Sequence, residues 1–262
     1  MKVSIIMGAY NVEKTITRSI ESIINQTYQD WLFIICDDGS SDGTYSIMEH
    51  YKQNYPNKFL IIKNGTNRGL TYTLNHCLKY VTSEYVARMD ADDISLPDRL
   101  NTQVEFLEAN PEYAFVGTAV ERFDEDGVWK KCYLEEGSPL KKCFYKSSGF
   151  THPTIMIRKS ALDSVNNYRE AWFTNRCEDY DLWMRLYAKG YNGYNINKIL
   201  FQYYEGKDSF PKRKYKYRIG EAVMRAKGYA ALGMYPKGVV YVLKPLIAGL
   251  IPPVLVKTLH KR

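Results

Sequence analysis

The sequence is short of several common signatures, and each absence closes off a class of function. No Gly-x-Gly-x-x-Gly follows the first apolar run, where the chain reads Met7-Gly8-Ala9-Tyr10-Asn11. That argues against a dinucleotide-binding dehydrogenase, and the lack of a Gly-x4-Gly-Lys-Ser/Thr loop argues against a P-loop NTPase. Five cysteines (Cys36, Cys77, Cys132, Cys143, Cys177) are scattered with no Cys-x-x-Cys pair, which speaks against a zinc ribbon or a redox dithiol. The best apolar run, Pro245 to Val256, is broken by Gly249, Pro252 and Pro253 and is too short to span a bilayer. Met1 leads straight into the strand-like Val3-Ser-Ile-Ile-Met7 with no leader-like run before it, so the expectation is a protein of the reducing cytoplasm. Acidic residues are nearly missing from the last fifth. Lys212 to Arg262 holds twelve Lys/Arg and one acid, Glu221, for a net +11, so that residues 1–211 carry −4 of the chain's +7. A nucleic-acid enzyme concentrates cations around its main cleft. An acidic body with a basic tail instead fits no nucleic acid and an anionic membrane surface.

What is present is an ordinary globular balance, 45% apolar and 25% charged over 262 residues, enough for one large domain with an appendage. Strand and helix patterns alternate through the first half. Val3–Met7, Trp31–Cys36, Phe59–Ile62 and Tyr85–Met89 are short apolar runs. Between them lie helical spacings such as Ile16, Ile20, Ile23 and Ile24, and Leu70, Leu74, Cys77 and Leu78. Repeated β-α units of this length predict an α/β fold on a mostly parallel, doubly wound sheet. Right-handed crossovers put the strand C-termini on one edge, where ligands of such sheets bind. Two acidic clusters sit at those ends, Asp37-Asp38 and Asp90-Ala91-Asp92-Asp93. They are therefore expected to converge on one crevice. The second half is less regular. It predicts a hairpin around Asp124–Gly127, a strand over Thr154–Arg158, a helix over Glu178–Lys189 closed by Gly190, and a strand over Ile196–Tyr204.

Asp90, Asp92 and Asp93 offer hard oxygen ligands with no nearby His or Cys, a set that suits Mg²⁺ or Mn²⁺. An exposed acidic loop capping the next helix is the plainer alternative. Asp37-Asp38-Gly39-Ser40 reads equally as a turn and as a carboxylate aimed at a base or ribose. Arg68 is either part of a turn or a contact to a base or phosphate. Glu178, Asp179 and Asp181 stabilise a helix N-terminus, and one of them is alternatively a general base.

Taken together, the ordered motifs are Val3–Asn11, Ser22–Tyr28, Cys36–Thr44, Asn67–Gly69, Arg88–Asp93 with Pro97–Leu100, His152-Pro153 and Glu178–Arg185. In this combination the chain resembles a family 2 inverting glycosyltransferase of the GT-A fold, the type that builds bacterial surface polysaccharides. The resemblance covers roughly residues 1–205. It implies a nucleotide-sugar half over about 1–110, and an acceptor side with the catalytic base over about 111–205. It also implies Asp179 as base with Glu178 beside it. Ala9, Tyr10, Asn11, Glu13, Asp37, Asp38, Arg68, Asp90 and Ala91 would bind the nucleotide-sugar. Asp92, Asp90 and Asp93 would hold a divalent cation, Mn²⁺ or Mg²⁺, and His152 and Trp183 would touch the acceptor. The implied donor is a UDP-sugar and the implied transfer hexosyl or N-acetylhexosaminyl. The implied acceptor is a glycan or lipid-linked oligosaccharide. No Gln-x-x-Arg-Trp motif or spanning run is present, which argues against a processive exporting synthase. Residues 206–262 are expected to form a basic amphipathic helical region on the inner face of the cell membrane, or else to pack back on the core. The competing enzymatic reading is a nucleotide-sugar pyrophosphorylase, for which Gly8 alone is a poor match to the glycine-rich loop required. A third class, a non-catalytic membrane-binding module, is disfavoured by the acidic strand ends.

Overall fold

A computed structural model of the chain describes residues 1–206 and 214–250. The start of the basic tail at Lys212 and Arg213, and the tail's end from 251, including the second half of the Pro245–Val256 run, lie outside the described residues. Four strands with intervening helices open the chain: β1 (Val3–Ala9), α1 (Ile16–Ile24), β2 (Trp31–Asp37), α2 (Thr44–Asn54), β3 (Phe59–Lys63), α3 (Leu70–Leu78) and β4 (Tyr85–Arg88). These strands lie parallel in the order β3-β2-β1-β4. β1, β2 and β4 are buried on both faces, which is why they read as unbroken apolar runs. Then follow β5 (Ile94–Ser95), α4 (Arg99–Ala109), β6 (Tyr113–Asp124), β7 (Gly127–Cys132), β8 (Met156–Arg158), α5 (Lys159–Ser164), α6 (Glu178–Ala188), β9 (Asn192–Tyr204), α7 (Tyr215–Ala231) and α8 (Gly238–Leu250).

The second half departs from the parallel pattern. β8 inserts antiparallel between β4 and β6, β6 and β9 run parallel, and β5 and β7 add antiparallel edges. The sheet is thus mixed. The expected strand over Thr154–Arg158 is shorter at its start, because His152–Thr154 forms a 3-10 turn around Pro153, which cannot donate to a ladder. The Asp124–Gly127 hairpin and the Gly190 helix stop appear as expected, both glycines having positive φ. The two sheet faces are covered by different helices. Ile5, Met7, Phe33 and Ile35 pack with α1, α2 and α4. Ile6, Ile34 and Cys36, the alternate residues, pack with α3, α5, α6 and α7.

α7 is not a loose tail. Glycine lets it approach closely: a Cβ at Gly228 would lie 2.4 Å from the sulfur of Met184, and one at Gly220 would lie 3.0 Å from the Phe173 backbone. Of the two expectations for the tail, packing on the core describes α7. α8 leaves Val240, Leu243 and Ile247 exposed along one side. No described helix is long and apolar enough to cross a membrane.

Candidate active site

Strand register assembles the site. Ala9 lies opposite Asp37 and Asp37 opposite Lys63, while Arg88 on the other side of β1 pairs with Ile6. The Asp37–Asp38 end and the Asp90–Asp93 turn therefore flank β1 on one sheet edge, about two strand spacings apart, roughly 10 Å.

The first end is a pair of loops stitched together. Asn11, at φ 51, accepts a hydrogen bond from the Ser41 backbone at 2.9 Å, and its own N–H donates to the Ser40 hydroxyl at 3.0 Å. Glu13 accepts from the Gly43 backbone at 2.8 Å. Asp38 accepts from the Asn64 amide and the Arg68 backbone through Oδ1, and from the Gly69 backbone through Oδ2, at 2.7, 2.9 and 2.8 Å. Asp38 thus shapes the Asn67–Gly69 turn. Asp37 is fully buried; its Oδ1 accepts from the Ser40 backbone at 3.2 Å and its Oδ2 has no hydrogen-bond partner among the described residues. Gly39, at φ 77, lies so close to Thr66 and Asn67 that a Cβ would meet backbone atoms at 2.9–3.0 Å. Tyr10 is exposed, and the Arg68 guanidinium lies 4.1 Å from the Tyr72 ring centre. An exposed ring and a cation therefore remain at the rim of this loop pair.

The second end is the Asp90–Asp93 turn. α1 fastens its backbone: Thr15, Arg18 and Ser19 donate to the carbonyls of Ala91, Asp92 and Asp93 at 2.9, 2.9 and 2.7 Å. Carboxylate oxygens of Asp90, Asp92 and Asp93 all lie within 4.8 Å of one another. Asp93 is buried and ties the turn to β9 by accepting from the Tyr204 backbone at 2.7 Å, while its Oδ2 has no hydrogen-bond partner among the described residues. Burial, with Asp90 adding like charge, pushes Asp92 up to about 6, and the same causes raise Asp93 well above the carboxylate range. Three crowded carboxylates with an orphaned buried oxygen fit a hard dication, which would neutralise their repulsion.

Arg88 joins this turn to α6. It is buried, its Nη2 lies 2.5 Å from Asp90, and its Nε and Nη1 have no acceptor among the described residues. Burial opposes its charge, but Asp90 more than offsets this and its pKa is raised. Glu178 lies in the field of both Arg88 and Asp90, so the first turn of α6 faces the acidic turn. Burial, then neighbouring Asp179, pushes Glu178 up to about 7. Asp181, by contrast, is spent on structure, paired with Arg185 at 2.6 Å and Arg169 at 3.2 Å.

A raised carboxyl has a signed consequence. Between about 4.5 and 7 the folded state keeps a proton on Glu178 that the unfolded chain has lost, so stability falls as pH rises through that window. Glu178→Gln is therefore expected to be more stable than wild type at pH 8, by on the order of 2–3 kcal/mol, and equal to it near pH 4. Urea melts at both pH values measure this; an equal gap at both would rule out the titration as its source.

Two expected acceptor residues are buried. Trp183 is 1% exposed and stacks on Phe115 at 4.7 Å, so it has no free face. His152 is buried, with Nε2 2.7 Å from the Tyr168 hydroxyl, and burial holds it neutral, well below the usual histidine range. Trp183 packs in the core, and His152, though buried, lies in the field of Arg88. Conversely, motif reading quoted Arg88 without a role, although a lone arginine two residues before an acid cluster was a usable signal. It also gave no role to Glu221 and Arg225 of α7, although Glu221 is the single acid of the basic tail. Together with Ser147, Ser148, Arg176 and Asp179 they line a cavity of about 220 Å³.

The geometry agrees with what the chain is similar to. The family model for glycosyl transferase family 2 matches residues 4–165. EpsE of Bacillus subtilis (strain 168), named as a glycosyltransferase, is 40% identical over all of this chain and 94% of its own length. The UDP-Glc:alpha-D-GlcNAc-diphosphoundecaprenol beta-1,3-glucosyltransferase WfaP of Escherichia coli is 28% identical over 87% of this chain and 88% of its own. Among solved structures, S. aureus TarS 1-349 in complex with UDP superposes with TM-score 0.68 at 22% identity, covering 90% of this chain and 70% of that one. The mannosyltransferase PcManGT from Pyrobaculum calidifontis, in complex with GDP-Man and Mn2+, gives 0.62 at 18%, covering 99% and 79%. Those structural likenesses establish a GT-A-like fold. The family match and the EpsE identity establish that the chain belongs to glycosyl transferase family 2.

Proposed function

We propose that the protein is a cation-dependent inverting glycosyltransferase. It moves a hexosyl or N-acetylhexosaminyl unit from a UDP-sugar to a glycan or lipid-linked acceptor in bacterial surface-polysaccharide synthesis. The observation that carries this is the meeting of the Asp90–Asp93 carboxylates with the Glu178–Asp179 turn across buried Arg88. UDP in the TarS complex, and the diphosphate-lipid acceptor in the name of WfaP, support the donor and acceptor classes.

In this reading Asp179 takes the proton of an acceptor hydroxyl as that oxygen attacks the anomeric carbon. The nucleotide diphosphate departs from the opposite face, so configuration inverts. One carboxylate suffices, because a diphosphate needs no second acid to protonate it as a glycosidase leaving group does. Asp92, with Asp90 and Asp93, would hold Mn²⁺ or Mg²⁺, which supplies charge neutralisation at the leaving diphosphate. Arg88 offers Nε and Nη1, which have no acceptor among the described residues, to the same donor. Tyr10 and Arg68 are the rim groups available to the nucleotide, with Ala9, Asn11, Glu13, Asp37, Asp38 and Ala91 shaping its pocket. The exposed side of α8, with Lys237 and Lys244 near it, faces the inner leaflet.

Thermal melting with UDP, GDP, dTDP and CDP, each with and without Mn²⁺, tests the donor side. A ligand of the folded state raises the melting temperature by mass action, about 2.7 kcal/mol at a hundredfold excess over Kd. The expected result is a Mn²⁺-dependent rise with UDP. A rise with GDP instead would replace the donor, and UDP binding unaffected by Mn²⁺ or chelator would remove the cation.

A further inference from the structure

The Asp90–Asp93 turn is gripped from two sides. On one side, Thr15, Arg18 and Ser19 at the start of α1 are spaced to share one helix face, and they take up the carbonyls of Ala91, Asp92 and Asp93 in turn. Three successive backbone oxygens are thereby committed to the helix, and the carboxylates are left to face a cation. On the other side, the Tyr204 N–H donates to Asp93 at 2.7 Å, and Tyr204 lies opposite Phe123 across the β6–β9 ladder. Arg18 belongs to both sides. Its guanidinium carbon is 5.0 Å from the Phe123 ring centre and 4.6 Å from that of Tyr204, while its Nη2 donates to the Asp92 carbonyl at 2.9 Å. Its buried Nε has no acceptor among the described residues, and such a donor costs about 1–3 kcal/mol. The packing of α1 does not call for that cost, because Ile16, Ile20 and Ile23 supply its core face. The charge works in the same direction as the hydrogen bond: burial and Asp90 raise Asp92, and Arg88 and Arg18 oppose the rise.

We propose that Arg18 is a positioning residue that sets the affinity of the Asp90–Asp93 turn for a divalent cation, its guanidinium clamped between Phe123 and Tyr204 and fixing the Asp92 carbonyl. This rests on the reading of that turn as a cation site. The peptide unit is planar, so holding the Asp92 carbonyl sets the plane between Asp92 and Asp93 and the directions in which both side chains leave the backbone. The two rings fix the plane of the guanidinium. A lysine would keep the charge but has neither the plane nor the fork.

Titration of the full chain with Mn²⁺ alone, free ion read by electron paramagnetic resonance, tests it without any turnover. Arg18→Lys is expected to weaken Mn²⁺ binding about 10–100-fold, the usual effect of losing a partner that orients a metal ligand. Tyr204→Leu leaves Arg18 and every carboxylate in place and removes one ring of the clamp; it is expected to weaken binding about three- to fivefold. Tyr204→Phe keeps the ring, loses only the hydrogen bond to Glu125, and should bind Mn²⁺ as wild type does. Urea melts without Mn²⁺ confirm that each variant is folded and separate a stability loss from a change in affinity. Wild-type affinity in folded Arg18→Lys or folded Tyr204→Leu would overturn the proposal, and so would a loss in Tyr204→Phe as large as that in Tyr204→Leu. A wild type that binds no Mn²⁺ would remove the cation reading itself and the proposal with it, a failure seen without any variant.

Discussion

Asp179→Asn is expected to lower turnover by about 10²–10⁴-fold, the usual contribution of a positioned general base, while the UDP-induced melting shift stays unchanged. The asparagine keeps the shape of the side chain at the first turn of α6 and loses its charge and with it the ability to accept the proton. The loss should therefore fall on kcat and leave donor affinity intact, the pattern of an interaction made in the transition state. Burial still holds Glu178 above the usual carboxylate range when the Asp179 charge is gone, and its field is shared with Arg88 and Asp90 on the donor side. Steady-state kinetics of UDP release, with the melting shift measured on the same preparation, separates the two effects. An Asp179→Asn enzyme with wild-type kcat would move the base elsewhere, and a lost melting shift would make Asp179 a donor ligand.

Arg88→Met is expected to cost about 3–5 kcal/mol of stability at pH 8, the range for breaking one side of a buried ion pair. Arg88 pairs with Asp90 at 2.5 Å, and its charge also holds down the carboxyls of Asp92, Asp93 and Glu178. Methionine fills similar space and removes the counter-charge from all of them. The sign with pH follows from the carboxyls left behind. Their folded-state pKa values rise further, so the penalty is largest above about 7 and shrinks as the acids protonate toward pH 5. Mn²⁺ should restore part of the lost stability by supplying positive charge at the same turn. Urea melts at pH 5 and pH 8, with and without Mn²⁺, give the four values needed. A penalty independent of pH would mean that Arg88 acts through packing and not through its charge.

Much of this site lies in short stretches of sequence, and those stretches were readable. Asp37-Asp38 and Asp90–Asp93 end apolar runs, and a parallel sheet brings its strand ends to one edge. The register that sets Asp37 beside Ala9 and Arg88 beside Ile6 needs only strands of matched length and the expected crossovers. Glu178, Asp179 and Asp181 open a helical pattern whose stop at Gly190 is equally local. In such cases periodicity and end signals within about ten residues carry the information, because one turn or one ladder pair decides each element.

The remainder depended on contacts between distant segments. Asp38 looks like a base-binding carboxylate in isolation, yet it accepts three hydrogen bonds from Asn64, Arg68 and Gly69, some thirty residues away. Asp181 and Asp179 look alike in a first turn. Arg169 and Arg185 claim the first, and the cavity shared with α7 takes in the second. Trp183 and His152 fall in motifs, but Phe115 and Tyr168 absorb them into the core. β8 enters antiparallel between β4 and β6, and α7 folds back on α6, because apolar faces there find complementary partners. Local pattern specifies which residues can form a strand end, a turn or an amphipathic face. What each carboxylate can do chemically is set by the charges and donors that packing brings to it.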